Sequence, residues 1–257
     1  MKAYLLFLSA AIFASAQTLS GPISGVVLAP NGRLELVKGI FSNLLPPSPA
    51  AVRGIVPLSA AFSATAGLIK TQRDILITDA YGNILSSQAA PKGPALFAFT
   101  ATGDPAYAWL SSVSGLENLS SAALLELSSS GDEVIALGTA SNELIQMLVR
   151  AGSFLWDESV STRDGSILLR TSIEGSPPAV AFESGWLVTS PQGLSWVEAN
   201  QTVATRFIEV PEAVTGLQTS GPHSVAINGK WLLTPQWKCL RIPVPRGTRL
   251  PAAQRPQ

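Results

Sequence analysis

A glycine-centred reversal between two apolar runs recurs along this chain, and it restricts the fold more than any other feature. Its fullest copy runs from Asp74 to Ser87, with apolar and polar residues alternating on either side of Tyr81-Gly82-Asn83. Period-two alternation sends successive side chains to opposite faces, as in a half-buried strand. The hairpin glycines fall at positions 32, 82, 103, 131, 165, 193 and 229, a mean spacing of about 33 residues, within the range of repeat arrays and propellers.

In chain order, Ile23 to Leu28 and Leu34 to Ile40 read as a strand pair across Pro30-Asn31-Gly32, Asn-Gly being a strong hairpin signal. Leu44 to Pro57 is rich in proline, which lacks the ladder donor, and reads as a connection. Ser59 to Ser87 forms a second unit, and Pro94 to Leu110 a third, with Phe97 and Phe99 on one face. Ala122 to Leu127 pairs with Glu133 to Leu137 as a fourth. Asn142 to Gly152 fits either a helix with Ser141 as its N-cap or a strand. Ala179–Phe182, Trp186–Thr189, Leu194–Val197 and Val203–Val210 make four short strands, the number in a propeller blade. A last unit runs from Ser224 to Val244, and a strand from the N-terminus, if it closed this unit, would leave the ring without free edges. The expected fold is an all-β, single propeller-like domain of about five to seven blades over residues 17–244, with a β-sandwich as the alternative.

The recurring Ser/Thr/Ala-x-x-Gly-Asp/Asn/Arg turn between apolar strands resembles the degenerate blades of secreted bacterial WD40-like propeller proteins. No Gly-His with a following Trp-Asp accompanies it. Thr189-Ser-Pro-Gln-Gly-Leu-Ser-Trp196 is similar in spacing to the Asp-box turn of sialidase-like propellers, but Pro191 stands at the carboxylate position. Such boxes are structural.

Lys2, the apolar run Ala3 to Phe13 and Ala14-Ser-Ala16 have the pattern of a secretory signal peptide over residues 1–16, with a mature N-terminus at Gln17. The apolar part is too short to span a bilayer. This implies a secreted or periplasmic protein with no integral membrane segment after cleavage. The chain is 46% hydrophobic and 13% charged, ample for a core. Cys239 is the only cysteine, so stability rests on burial and strand pairing without an internal disulfide. No acid follows Glu212, and residues 245–257 form a basic, proline-rich tail expected to be extended and disordered.

His223 and Cys239 are the sole imidazole and thiol, which argues against a zinc site or nucleophilic triad and gives no catalytic, metal or cofactor residue. His223 reads as structural or surface exposed, and Cys239 as a small buried hydrophobe. Asp74, Asp79, Asp104, Asp132 and Asp164 sit in or beside turns, where Asp bonds its own backbone. Asp157 and Glu158 differ, because they follow Phe154-Leu-Trp156 and one of them could face a cleft. Trp109, Trp186 and Trp231 occupy core-like strand positions, whereas Trp237 between Gln236 and Lys238 reads as the exposed tryptophan. Trp156, Asp157 and Trp237 are therefore the candidate binding residues. Asn118-Leu-Ser120 and Asn200-Gln-Thr202 match the glycosylation sequon. No phosphate-binding loop or basic aromatic cluster points to nucleotide or nucleic acid.

These features suggest a monomeric, non-catalytic binding or scaffold module at the cell envelope, engaging a protein, peptide or glycan through loops on one face. The alternative is a carboxylate- or calcium-dependent hydrolase or lyase. Convergence of three or more of Asp74, Asp79, Asp104, Asp132, Asp157, Glu158 and Glu183 in one pocket would favour it.

Overall fold

The computed structural model describes residues 23–40, 42–52, 54–127, 132–221 and 223–244. The signal segment 1–16, the cleavage position at Gln17, the turn glycine at 131 and the tail 245–257 lie outside the described residues. Those described form strands and turns and no helix, so none among them is long and apolar enough to cross a membrane.

Among the described residues, twenty-four strands make six four-stranded units in strict chain order. The first holds β1 (Ile23–Leu28), β2 (Leu34–Ile40), β3 (Asn43–Leu44) and β4 (Ser48–Pro49). The second holds β5 (Ser59–Phe62), β6 (Ala66–Lys70), β7 (Asp74–Asp79) and β8 (Ile84–Ala89). The third holds β9 (Ala95–Phe99), β10 (Pro105–Leu110), β11 (Gly115–Asn118) and β12 (Leu124–Glu126). The fourth holds β13 (Glu133–Ala140), β14 (Leu144–Ala151), β15 (Phe154–Ser161) and β16 (Ile167–Ile173). The fifth holds β17 (Ser176–Phe182), β18 (Gly185–Ser190), β19 (Gly193–Glu198) and β20 (Arg206–Ile208). The sixth holds β21 (Leu217–Gly221), β22 (Ser224–Ile227), β23 (Trp231–Leu233) and β24 (Cys239–Arg241).

The buried side chains explain why these sheets form a ring. Most inner and middle strands are apolar on both faces, so each sheet must be covered twice. Along β6 and β7, Leu68 and Ile75 pack on the third sheet while Ile69 and Leu76 pack on the first. Trp109 and Leu116 meet Met147 and Val149 between the third and fourth sheets, and Leu148 and Leu155 meet Trp186 and Val188 between the fourth and fifth. Leu187 and Leu194 meet Val225 and Leu233 between the fifth and sixth. Val27 and Val37 then pack on Ala226 and Leu232, which returns the series to the first sheet. Six units joined by six cores form a propeller-like ring, within the range of five to seven blades read from the repeat. Two face-packed sheets, the sandwich alternative, are not what the chain forms.

The inner strands β5, β9, β13, β17 and β21 are neighbours in that order around the axis. A parallel bridge between Ser220 and Phe62 joins β21 to β5, so the second and sixth units read as one eight-stranded sheet. The first sheet is irregular. Ser224 Oγ donates to Ser24 O at 3.1 Å, Gln218 Nε2 to Val26 O at 3.4 Å and Leu28 N to Gln218 Oε1 at 2.8 Å, so β1 runs opposite to β21. Gly25 sits where any Cβ would strike Ser220 O, which lets β1 lie this close.

Several expectations from sequence need correction. Leu124–Glu126 and Glu133–Ala140 do not pair. The former is the outer strand of the third sheet and the latter the inner strand of the fourth. The stretch 142–152 holds the strand β14 (Leu144–Ala151), and Ser141 Oγ accepts the amide of Leu144 at 3.1 Å within a hairpin turn instead of capping a helix. The proline-rich connection supplies two-residue edge strands, with Pro49 opposite Glu35, because at an edge the missing donor costs no ladder bond. The sixth sheet draws its inner strand from Leu217–Gly221, not from the N-terminus.

Trp186 is buried in the core between the fourth and fifth sheets, its ring against Gly138. Trp186→Ala is expected to lower the unfolding free energy by roughly 3–5 kcal/mol. Chemical denaturation monitored by circular dichroism measures this, and a loss below about 1 kcal/mol would contradict the assigned packing.

Candidate functional site

The inner strands run in parallel and bring their ends, Phe62, Phe99, Ala140, Phe182 and Gly221, to one face of the ring. The loops that follow surround a cavity of about 470 Å³ on the axis. Phe97, Leu137 and Thr219 form a collar beneath it and also line a smaller, mainly apolar cavity of about 260 Å³. Alanines 60, 95, 136 and 179 line this inner part, and their small side chains keep the axis from being filled.

Local hydrogen bonds fix the loops. Ser63 Oγ donates to Gly103 O at 2.5 Å and Thr65 Oγ1 donates to the same oxygen at 2.9 Å, tying the second unit to the third. Thr102 Oγ1 donates to Asp104 Oδ2 at 2.7 Å. Glu183 and Ser184 form a two-residue turn between paired Phe182 and Gly185, which puts Glu183 at φ 53°, in the left-handed region. There its Oε1 lies 3.0 Å from His223 Nδ1, and the pair spans the fifth and sixth units. His223, with a side chain 60% exposed, stands at the rim. The mouth thus offers hydroxyls, one carboxylate and one imidazole above an apolar collar, which suits an apolar or cationic group entering along the axis.

The carboxylates singled out in the sequence do not converge: Asp74 and Asp79 bound β7, Asp157 and Glu158 are adjacent on β15, and the others lie on further elements. Asp79 accepts the amides of Tyr81 and Asn83 at 2.8 and 2.9 Å, and these bonds with the Asn83 side-chain amide hold its pKa low despite some burial. Ser166 does the same for Asp164. Asp132 and Glu158 share Arg170, at 2.9 and 3.1 Å. Glu158 is buried, and desolvation raises its pKa against the pull of Arg170. Among the described residues, no group of three His, Cys, Asp or Glu is placed to hold a metal ion.

None of the three candidate binding residues lines the mouth, although Trp237 packs on Phe182, which does. Asp157 is 0% exposed, so it faces no cleft. It points from β15 toward the fifth unit, where Oδ2 accepts the amide of Asn200 at 2.6 Å and the indole N–H of Trp186 faces the carboxylate. Trp156, on the other face of β15, is half-buried, with the Arg170 guanidinium 4.6 Å above its ring. Trp237 is also half-buried. At φ 62° it turns its ring edge-on to Phe182 and Trp196, both at 5.2 Å, with Arg206 at 4.8 Å. Its polar neighbours in sequence face out while the ring folds in. Cys239 lies against the same core, and burial with Glu212 nearby pushes its thiol up to about 11, so it is no nucleophile near neutrality.

Sequence reasoning missed the pairing of Glu183 with His223, which are 40 residues apart and carry no local motif. It also missed Lys70, buried between the second and third sheets. Lys70 Nζ donates to Thr71 O at 2.6 Å, and burial lowers its pKa against the attraction of Asp74 and Glu117. The apolar run around Lys70 gave only the signal that a charge there would need partners.

No family model matches the sequence, and no curated protein matches it. Similar solved structures include dihydro-heme d1 dehydrogenase NirN in complex with DHE, at 12% identity over 84% of this chain and 52% of that one, with a TM-score of 0.44. A protein of unknown function from Bacteroides caccae matches at 12% identity over 76% and 74%, with a TM-score of 0.43. PorZ, a surface component of the type-IX secretion system of Porphyromonas gingivalis, matches at 14% over 88% and 39%, with a TM-score of 0.44. This chain spans about half the length of the NirN chain and less of PorZ. At these identities the likeness concerns the fold, and the propeller-like ring itself rests on the sheets and cores described above.

Burial raises the pKa of Asp157, so the folded state binds its proton more tightly than the unfolded chain does. The stability this proton provides is full below the ordinary value of 3.8 and is lost as pH rises through the raised one. Urea melts at a series of pH values should therefore show wild type gaining on Asp157→Asn as pH falls. A gap that is constant or moves the other way would contradict the assignment.

Proposed function

We propose that this propeller-like domain is an exported, non-catalytic binding module of the cell envelope, a monomer that takes a protein or peptide segment into its axial mouth. The observation that carries this reading is the convergence of the inner-strand loops on a cavity of about 470 Å³, apolar at its base and polar at its rim. Glu183 gives the rim a negative group, and no Lys or Arg among the described residues lines the cavity, so a segment bearing an apolar or basic side chain fits best. Export is supported by Lys2, the apolar run and Ala14-Ser-Ala16. A binding role is favoured over a hydrolase because the candidate carboxylates are engaged singly or in pairs on different sheets.

Thr139 is exposed at the rim, and Thr139→Trp should fill the mouth without disturbing a core. Crosslinking pull-downs from envelope extract are expected to lose captured partner about tenfold with this variant, as removal of roughly 1.4 kcal/mol of binding would give. The control Ser86→Trp, on the outer strand β8, should capture as wild type does. Equal capture by both variants would overturn the reading.

A further inference from the structure

A second cavity of about 470 Å³ lies away from the mouth, where the core between the fourth and fifth sheets runs out. Ala204 belongs to both, packing on that core and lining the cavity. The inner strand β17 rises to Phe182 at the mouth, and β18 descends from there, so Ser190 at the end of β18 lies on the opposite side of the ring.

The walls combine two kinds of surface. Ser195 and Phe207 are directly opposed on β19 and β20, so their side chains share a face. Ser195 is 3% exposed, whereas Phe207 is 67% exposed and presents its ring at the edge. The hydroxyl of Ser190 is buried at the wall and has no hydrogen-bond partner among the described residues. An unsatisfied buried hydroxyl costs free energy unless a partner arrives. Ser176 and Gln192 add neutral hydrogen-bonding groups, and Glu174 is the one charged residue in the lining.

A sugar ring matches this combination. A pyranose presents C–H groups on its faces, which pack on an aromatic ring, and hydroxyls around its edge, which exchange hydrogen bonds with serine and amide groups. Among the described residues the lining carries no Lys or Arg to attract a phosphate or carboxylate, and its volume is within the range of small-molecule sites. From this we infer that this cavity, lined by the fifth sheet and its flanking turns, is a carbohydrate subsite, with Phe207 as the stacking platform and Ser190 and Ser195 as hydrogen-bonding partners. It is separate from the axial mouth and does not depend on what the mouth binds.

The test is saturation-transfer NMR on the full protein with four probes, the methyl β-glycosides of glucose, galactose, mannose and N-acetylglucosamine. At least one should receive saturation from the protein. Phe207→Ala, a change at an exposed position, should weaken that ligand about tenfold or more, and Ser195→Ala should weaken it measurably. Thr139→Trp at the mouth should leave it unchanged. Circular dichroism melts establish that each variant is folded, and if Ser195→Ala is not, Phe207→Ala alone decides. No transfer to any probe, or transfer indifferent to Phe207→Ala, would overturn the inference.

Discussion

The structure depends on burial of both faces of its sheets. A strand that is apolar on one side can rest on a single partner layer, whereas Leu68 beside Ile69 and Ile75 beside Leu76 demand one layer on each side. Repeated along the chain, this demand leaves each terminal sheet with a bare face unless the series closes on itself. The first sheet meets it by packing Val26 on the second unit and Val27 on the sixth. At about 25 cal/mol per Å² of apolar surface buried, these interfaces are the main stabilising contribution available to a chain without a disulfide.

Closure also creates the site. Because inner strands point the same way around the axis, their loops collect on one face and polar residues in those loops become neighbours without being near in sequence. Glu183 meets His223, and Ser63 meets Gly103, only through this geometry. Small residues such as Ala60, Ala95, Ala136 and Ala179 stop the inner strands from filling the axis, so the cavity follows from the ring. The outer cavity near Phe207 has a related origin, since the core between the fourth and fifth sheets ends before β20 is covered.

The class of fold was legible in the sequence because it depends on local chemistry: period-two alternation, Asn31-Gly32, and a turn glycine at position 82. Grouping strands into sheets was less legible, because β11 and β12 have only four and three residues and carry little periodicity of their own. Residues 144–151 were ambiguous since both faces of β14 are buried, which blurs alternation into a run that also fits a helix. For the site, the turn role of Asp79 and the burial of Trp186 could be read locally. Asp157 misled because a carboxylate after an apolar run suggests a cleft, whereas here it meets the amide of Asn200 across a sheet interface. Trp237 misled because polar neighbours say nothing about a residue at positive φ.

The first sheet closes the ring by holding the second and sixth units together, and hydrogen–deuterium exchange tests this most directly. Val26 and Val27 lie on opposite faces of β1 and are both buried. In the double variant Val26→Ala/Val27→Ala, amides of β5–β8 and β21–β24 should exchange faster together, while those of β13–β16 across the ring keep their protection. Faster exchange confined to β1–β4 would show that the ring closes without them and would contradict the account.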